Sequence, residues 1–284
     1  MTLSTFLIVL FAAALHASWN ALVKSNSDKV VSMTAITIGH APLALVVMPF
    51  VPSPAPESWP LLALSVIVHT GYQLSLIQAY RLGDFTQVYP IARGSGPAIV
   101  TIVSIFVFGI YLAPSQIGAI GLIVAGIFCL SLLRQNNGLR NPKAVGAALL
   151  TGCLIAGYSL IDGFGARAAG TALGYIAWMT VINAIAFSVL IGFYRPTALK
   201  QVFTEGQLTL WVGGTASVLA YGLVVWAMTQ APIAVVTALR ETSTVFALFI
   251  GVLFLKEGLT RGKILATLLT LSGVLLLRFG SGGG

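Results

Sequence analysis

Charged and sulfur-bearing side chains are scarce in this chain. Asp, Glu, Lys and Arg make up 8% of its 284 residues, seven residues are acidic, three are histidine and two are cysteine. A soluble domain carries about 25% charged residues, so a water-facing surface of ordinary composition is excluded. Cys129 and Cys153 fall inside apolar stretches without partner spacing, and they read as small packed hydrophobes and not as a disulfide framework or metal site. The histidines stand at 16, 40 and 69, on separate segments, with no His-Glu-x-x-His pattern. No nucleophile is set beside a base, so an intramembrane hydrolase lacks its parts and the chain is expected not to be an enzyme. A Gly-x-x-x-x-Gly-Lys-Ser/Thr loop is also missing, as is space for a nucleotide-binding domain, which excludes ATP-driven transport. Strand-like alternation in runs of about 10 residues, the mark of a membrane barrel, is absent.

What fills the chain is apolar. Hydrophobic residues make up 57% and the mean hydropathy is +0.97. Runs of about 20 apolar residues, the length that crosses a hydrocarbon core of about 30 Å, recur at roughly 3–23, 31–50, 60–80, 85–108, 114–133, 144–164, 171–193, 207–228, 232–255 and 260–279. The fold class expected is therefore all-α and membrane-integral, with ten transmembrane helices joined by short polar or Pro/Gly-rich linkers. No basic residue precedes the first span and no convincing cleavage site follows it, so it reads as a retained helix.

The net charge of +8 has a topological meaning. Of the fifteen basic residues, eleven fall in loops on one side (Lys24, Lys29, Arg81, Arg134, Arg140, Lys143, Arg195, Lys200, Lys256, Arg261, Lys263), and Arg167 and Arg278 fall on the other. Short cytoplasmic loops carry the Lys/Arg excess, so both termini are expected outside the cytoplasm of a multi-pass inner-membrane protein. No basic run resembles a nucleic-acid-binding tail.

The remaining two, Arg93 and Arg240, lie inside spans. They occupy equivalent places in an ungapped internal repeat with an offset of 147. Residues 80–108 overlay 227–255, Ser95 falls on Thr242, Gly126 on Gly273, and 69–80 overlay 216–227. Trp19-Asn20 and Tyr158-Ser159 match more loosely. Two five-helix repeats follow, 1–138 and 139–284. Because five is odd, the second enters the bilayer from the opposite side. Inverted repeats of this kind place a substrate site near the midplane and rock about it.

Here the chain resembles the EamA-like branch of the drug/metabolite transporter superfamily. The residues that carry the likeness are the ten-span, five-plus-five pattern and the end of the ninth span, Ala247 to Glu257 (ALFIGVLFLKE), followed by Leu259-Thr260. The likeness covers nearly the whole chain and is specific in the second half. The first half departs, with Gly109-Ile110-Tyr111 where the family often keeps a glutamate after span four. The resemblance implies export of amino acids, their derivatives or other small metabolites through a cavity lined by spans one, three, four, six, eight and nine.

Polar groups at membrane depth face the bundle interior, where they find partners or water. His16, Trp19 and Asn20 share one face of span one. His69, Tyr72 and Gln73 share one of span three, and Tyr89 with Arg93 one of span four. Tyr158 and Asp162 do so on span six, although Asp162 beside Gly163 can also be read as a solvated helix end. Tyr221, Thr237, Arg240 and Glu241 complete the candidate substrate-binding set. For each, an interhelical hydrogen bond is the plainer reading. Gly94-Ser95-Gly96-Pro97 reads either as an unwound segment or as a packing notch. Arg240 and Glu241, about 100° apart on a helix, are expected to point to different neighbours.

Two arginines against Glu241 and Asp162 sum to zero, and a guanidinium fork binds carboxylate or phosphonate groups. The expectation is a secondary carrier for a small anionic or zwitterionic organic metabolite, such as an amino acid. The alternatives are an exporter of cationic or neutral amphipathic compounds, and a channel or scaffold. No cofactor is expected. Proton coupling through His16, His69, Glu241 or Asp162 is open, as are the direction of transport, sodium coupling and oligomeric state.

Overall fold

The fold is described by a computed structural model covering residues 1–25, 28–83, 85–132, 141–253 and 260–280. Among these residues every regular element is helical. The helices are α1 (Leu3–Ser25), α2 (Lys29–Val47), α3 (Trp59–Leu82), α4 (Phe85–Phe106), α5 (Pro114–Leu132) and α6 (Pro142–Ala168). They continue with α7 (Ala172–Tyr194), α8 (Pro196–Thr204), α9 (Gly214–Gln230), α10 (Ile233–Arg240), α11 (Ser243–Leu253) and α12 (Arg261–Phe279). Nine stretches of the described residues are long and apolar enough to cross a membrane, with α10 and α11 forming one of them. The stretch expected as span five is a shorter apolar helix, Pro114–Leu130.

Large apolar side chains such as Phe11, Ile67, Ile185 and Leu268 are exposed on the outside. This is the reverse of a soluble bundle and suits a lipid-facing surface, where neighbouring helices gain by close packing of small residues. The bundle accordingly has glycine contacts at its seams. An added Cβ at Gly126 of α5 would stand 2.8 Å from the Ala266 carbonyl, and one at Gly273 of α12 would stand 2.6 Å from the Ala119 carbonyl. Beyond the α5–α12 seam, α3 packs on α6 and α1 on α9, α2 packs on α7, α4 on α6, and α1 on α11.

The tightest seam joins α2 to a π-helical turn, Thr209–Gly213, that leads into α9. A Cβ at Gly39 would lie 2.0 Å from the Leu210 carbonyl oxygen. Gly39→Ala is therefore expected to destabilise by about 1–3 kcal/mol, as overpacking does. Gly121→Ala, in open space on α5, should gain about 0.5–1 kcal/mol from the better helix former. Melting temperatures of the two variants in detergent check the contrast.

Helix boundaries follow local chemistry. Asp28 caps α2, its carboxylate accepting from the amides of Val30 (2.9 Å) and Val31 (3.1 Å), and it also receives Arg195 in a forked pair at 3.1 and 2.6 Å. Partial burial raises the Asp28 pKa, but the hydrogen bonds from Arg195 and Val31 and the arginine charge outweigh it and hold the pKa below its usual 3.8. A carboxyl depressed on folding stabilises above its unfolded pKa, and that stability is lost as pH falls through the folded one. Melting temperature should fall as pH is lowered below about 4, and Asp28→Asn should remove that part of the fall.

One expectation is corrected and two open alternatives are decided. The linker RPTALKQ is mostly helical, forming the start of α8. Span six runs on to Ala168, so Asp162 is fully buried within a helix and not at a solvated end. The unwound segment is not at Gly94–Pro97, where α4 is continuous through Pro90 and Pro97. Gly94 instead clears Phe128 and Ile127, and Gly96 clears Ile155, which is the packing-notch alternative. The break lies in the other repeat copy, at Glu241-Thr242 between α10 and α11. Lys256, Glu257 and Leu259, part of the motif quoted for the ninth span, lie outside the described residues, as do Asp84, Arg134 and Arg140.

Candidate functional site

Two adjoining cavities open between the halves. The first offers about 770 Å³ of space, part of it open to solvent, and draws its wall from α1, α2, α3, α6, α7, α9 and α10. His16, Trp19, His69, Tyr72, Gln73, Tyr158, Tyr221 and Arg240 all line it. The second, about 580 Å³, shares His16, Trp19 and Tyr72 with the first and adds Asn20, Tyr89 and Arg93. Spans two and seven thus contribute to the first cavity, beyond the six spans the resemblance implied, and span four reaches only the second.

Three of the expected residues stand elsewhere. Asp162 and Glu241 are fully buried behind the wall, and Thr237 is fully buried with its hydroxyl unbonded, lining neither cavity.

Asp162 organises one charged cluster. Its carboxylate accepts from Ser65 and Tyr221, from the Tyr175 hydroxyl at 3.1 Å, and from His69 Nε2 at 2.9 Å. A buried carboxylate persists when donors replace its water, and here three helices, α3, α7 and α9, supply them. His69 in turn stacks on Tyr158, with ring centroids 4.3 Å apart and planes tilted by 20°. Ser65 and Tyr175 were not anticipated. Ser65 stands four residues before His69, on the same helix face, so spacing alone could have found it. Tyr175 sits in a niche that Gly165 leaves open, a Cβ there falling 2.5 Å from its hydroxyl.

Glu241 organises the other. Arg93 Nε lies 2.8 Å from its Oε2, and Arg240 Nη2 lies 3.5 Å from its Oε1. The break after Arg240 is what lets two adjacent residues meet, against the expectation that they diverge. Arg93 also donates to the Ser243 hydroxyl at 3.2 Å. The two arginines differ in their remaining capacity. Arg240 is 3% exposed, faces the first cavity, and has no hydrogen-bond partner at Nε or Nη2. Its guanidinium carbon stands 6.0 Å from the Tyr158 ring centroid.

Between the clusters, Gln73 donates to Thr37 (3.0 Å) and Asn183 (3.1 Å). His40 also lines the first cavity, and its Nε2 is unbonded. Thr37 and His40 stand at i and i+3 on span two, a stripe the sequence displays without marking as functional. Asn20 turns back to the His16 carbonyl of its own helix at 2.7 Å. Among the described residues no cluster of three or more His, Cys, Asp or Glu is placed to hold a metal.

A multi-pass helical bundle with an apolar exterior and a charged internal cavity has the architecture a membrane transporter requires. The model of the EamA-like transporter family matches residues 143–279, the second half of the chain. This is a family of transporters and not of enzymes. No curated protein matches the chain. A solved crystal structure of a protein superposes with a TM-score of 0.79, over 98% of this chain and 99% of that one, at 17% identity, which establishes a shared fold.

Proposed function

We propose that the chain is a secondary carrier that moves a small anionic or zwitterionic organic metabolite by alternating access between two inverted five-helix repeats, 1–138 and 139–284. The observation that carries this reading is Arg240, a buried guanidinium facing a cavity with donors to spare. A cation in that position stays ionised, and a carboxylate or phosphonate supplies the bonds it lacks.

The helix pairing supports the inverted repeat. Advancing each residue of the first half by 147 takes the contact of Gly126 with Ala266 and Thr270 into that of Gly273 with Ala119 and Ile123. With the looser match of α1 to α6, the same exchange of halves relates the packing of α3 on α6 to that of α9 on α1. A single two-fold axis in the membrane plane accounts for both. The eleven-to-two division of basic loop residues supports termini outside the cytoplasm of an inner membrane.

One feature favours the second reading, an exporter of amphipathic compounds. An apolar groove of about 850 Å³ runs between α1, α2, α7 and α9, and its wall residue Val218 also lines the first cavity. A melting-temperature panel on the purified protein separates the two, using amino acids, monocarboxylates, phosphonates, nucleobases and quaternary amines. A ligand at 100 times its Kd stabilises by about 2.7 kcal/mol. Stabilisation by acidic or zwitterionic compounds is expected, and a response confined to quaternary amines sinks the anion reading.

A further inference from the structure

The first cavity holds two charged elements separated by one ring, and each has its own task. Tyr158 is stacked by His69 on the one hand and approached by the Arg240 guanidinium on the other, so imidazole and guanidinium are at most about 10 Å apart. We propose that His69, held by Asp162, is a proton-binding site linked to the anion site at Arg240, and that the transported species is an organic monoanion that enters with one proton. This deepens the carrier reading above and rests on it.

The argument is one of charge balance in a water-poor space. The ionised side chains buried around the first cavity are Arg93, Arg240, Glu241 and Asp162, which sum to zero with His69 neutral. Lys29, at the first residue of α2, borders only the second cavity. A monoanion bound alone at Arg240 leaves the set at −1, and uptake of one proton restores zero. Uncompensated charge away from water is costly, so anion and proton favour each other's binding, and the linkage is reciprocal.

His69 is the place for that proton. The groups facing it are His40 from α2, Tyr158 and Asp162 from α6 and Tyr221 from α9, with Tyr175 of α7 behind Asp162 and Arg240 of α10 beside Tyr158. Asp162 supplies the negative charge among them, at 2.9 Å. His16 meets the edge of Trp19, and His40 Nε2 is unbonded. Histidine is also the side chain whose ordinary titration range spans physiological pH. The proton adds to the free ring nitrogen of His69 and the resulting imidazolium keeps its Nε2–H on Asp162, so no other bond changes.

Coulomb attraction over about 10 Å at an effective dielectric near 20 corresponds to a change on the order of tenfold in affinity. The test uses detergent-purified protein with L-glutamate, benzoate and methanesulfonate as monoanions and L-alanine as the neutral zwitterion. Wild type is expected to bind a monoanion about tenfold more tightly at pH 5.5 than at pH 8. That dependence should be flat in His69→Gln, which keeps a donor to Asp162, and in Asp162→Asn. Direct proton titration between pH 5 and 8 should show one site fewer in His69→Gln.

Monoanion binding that is lost in Arg240→Gln but equal at both pH values overturns the proton link and leaves the anion carrier standing. An unchanged proton titration in folded His69→Gln overturns the link without any ligand. Binding of L-alanine alone, with no monoanion bound at either pH, overturns the monoanion and keeps the carrier. No binding by any probe overturns both.

Discussion

Arg240→Gln is expected to abolish anion-induced stabilisation, weakening binding by about 30-fold or more. The estimate follows from the group's position. Truncating one partner of a buried, hydrogen-bonded charge pair costs about 2–5 kcal/mol, and the lower figure is already about 30-fold. The protein itself should tolerate the change, because Glu241 keeps Arg93 at 2.8 Å while its contact with Arg240 is the longer one, 3.5 Å. Calorimetry and melting curves measured together separate the two effects. Lost binding with a preserved melting temperature is the expected pair of results. Undiminished binding would mean that Arg240 serves only to hold α10 in place.

Glu241→Leu should produce the converse, a large loss of stability. Its carboxylate is fully buried and stands between two arginines that are 4% and 3% exposed. Removing one member of a buried ionic cluster costs about 3–5 kcal/mol because a charge is left uncompensated, whereas exchanging the whole pair for apolar residues is often neutral. The double variant Arg93→Met/Glu241→Leu should therefore recover much of the stability lost in Glu241→Leu. A double-mutant cycle on detergent melting curves checks it. Additive losses in the cycle would show that the pair does not act as a unit.

Much of this architecture is legible in the sequence because the bilayer leaves few solutions. Long apolar runs give the helices, and an arginine inside an apolar run is costly enough to mark a site. Arg93, Arg240, His69 and Tyr158 all surfaced that way, and each borders a cavity. What the sequence hides is partnership. Asp162 reads equally well as a helix end until Ser65, Tyr175 and Tyr221 are seen converging on it from three other helices. Spacing within one helix says nothing about which residue of another it meets. The break at Glu241-Thr242 was hidden for a different reason. The Gly-Ser-Gly-Pro segment of α4 carries the usual breaking residues yet stays helical, because its glycines admit Phe128 and Ile155. The equivalent stretch of the second repeat has neither glycine nor proline, and it is the one that opens.

That opening also fixes the order in which the two charges are written. A helix is a dipole, positive at its amino end and negative at its carboxyl end. Arg240 is the last residue of α10 and Glu241 stands two residues before the start of α11, so each charge lies near the pole that attracts it, within a single step of the chain. Written as Glu-Arg, the same two residues would each face the pole that repels them. The direction of the polypeptide, which composition cannot record, thus decides which of the two neighbours stands as the cation.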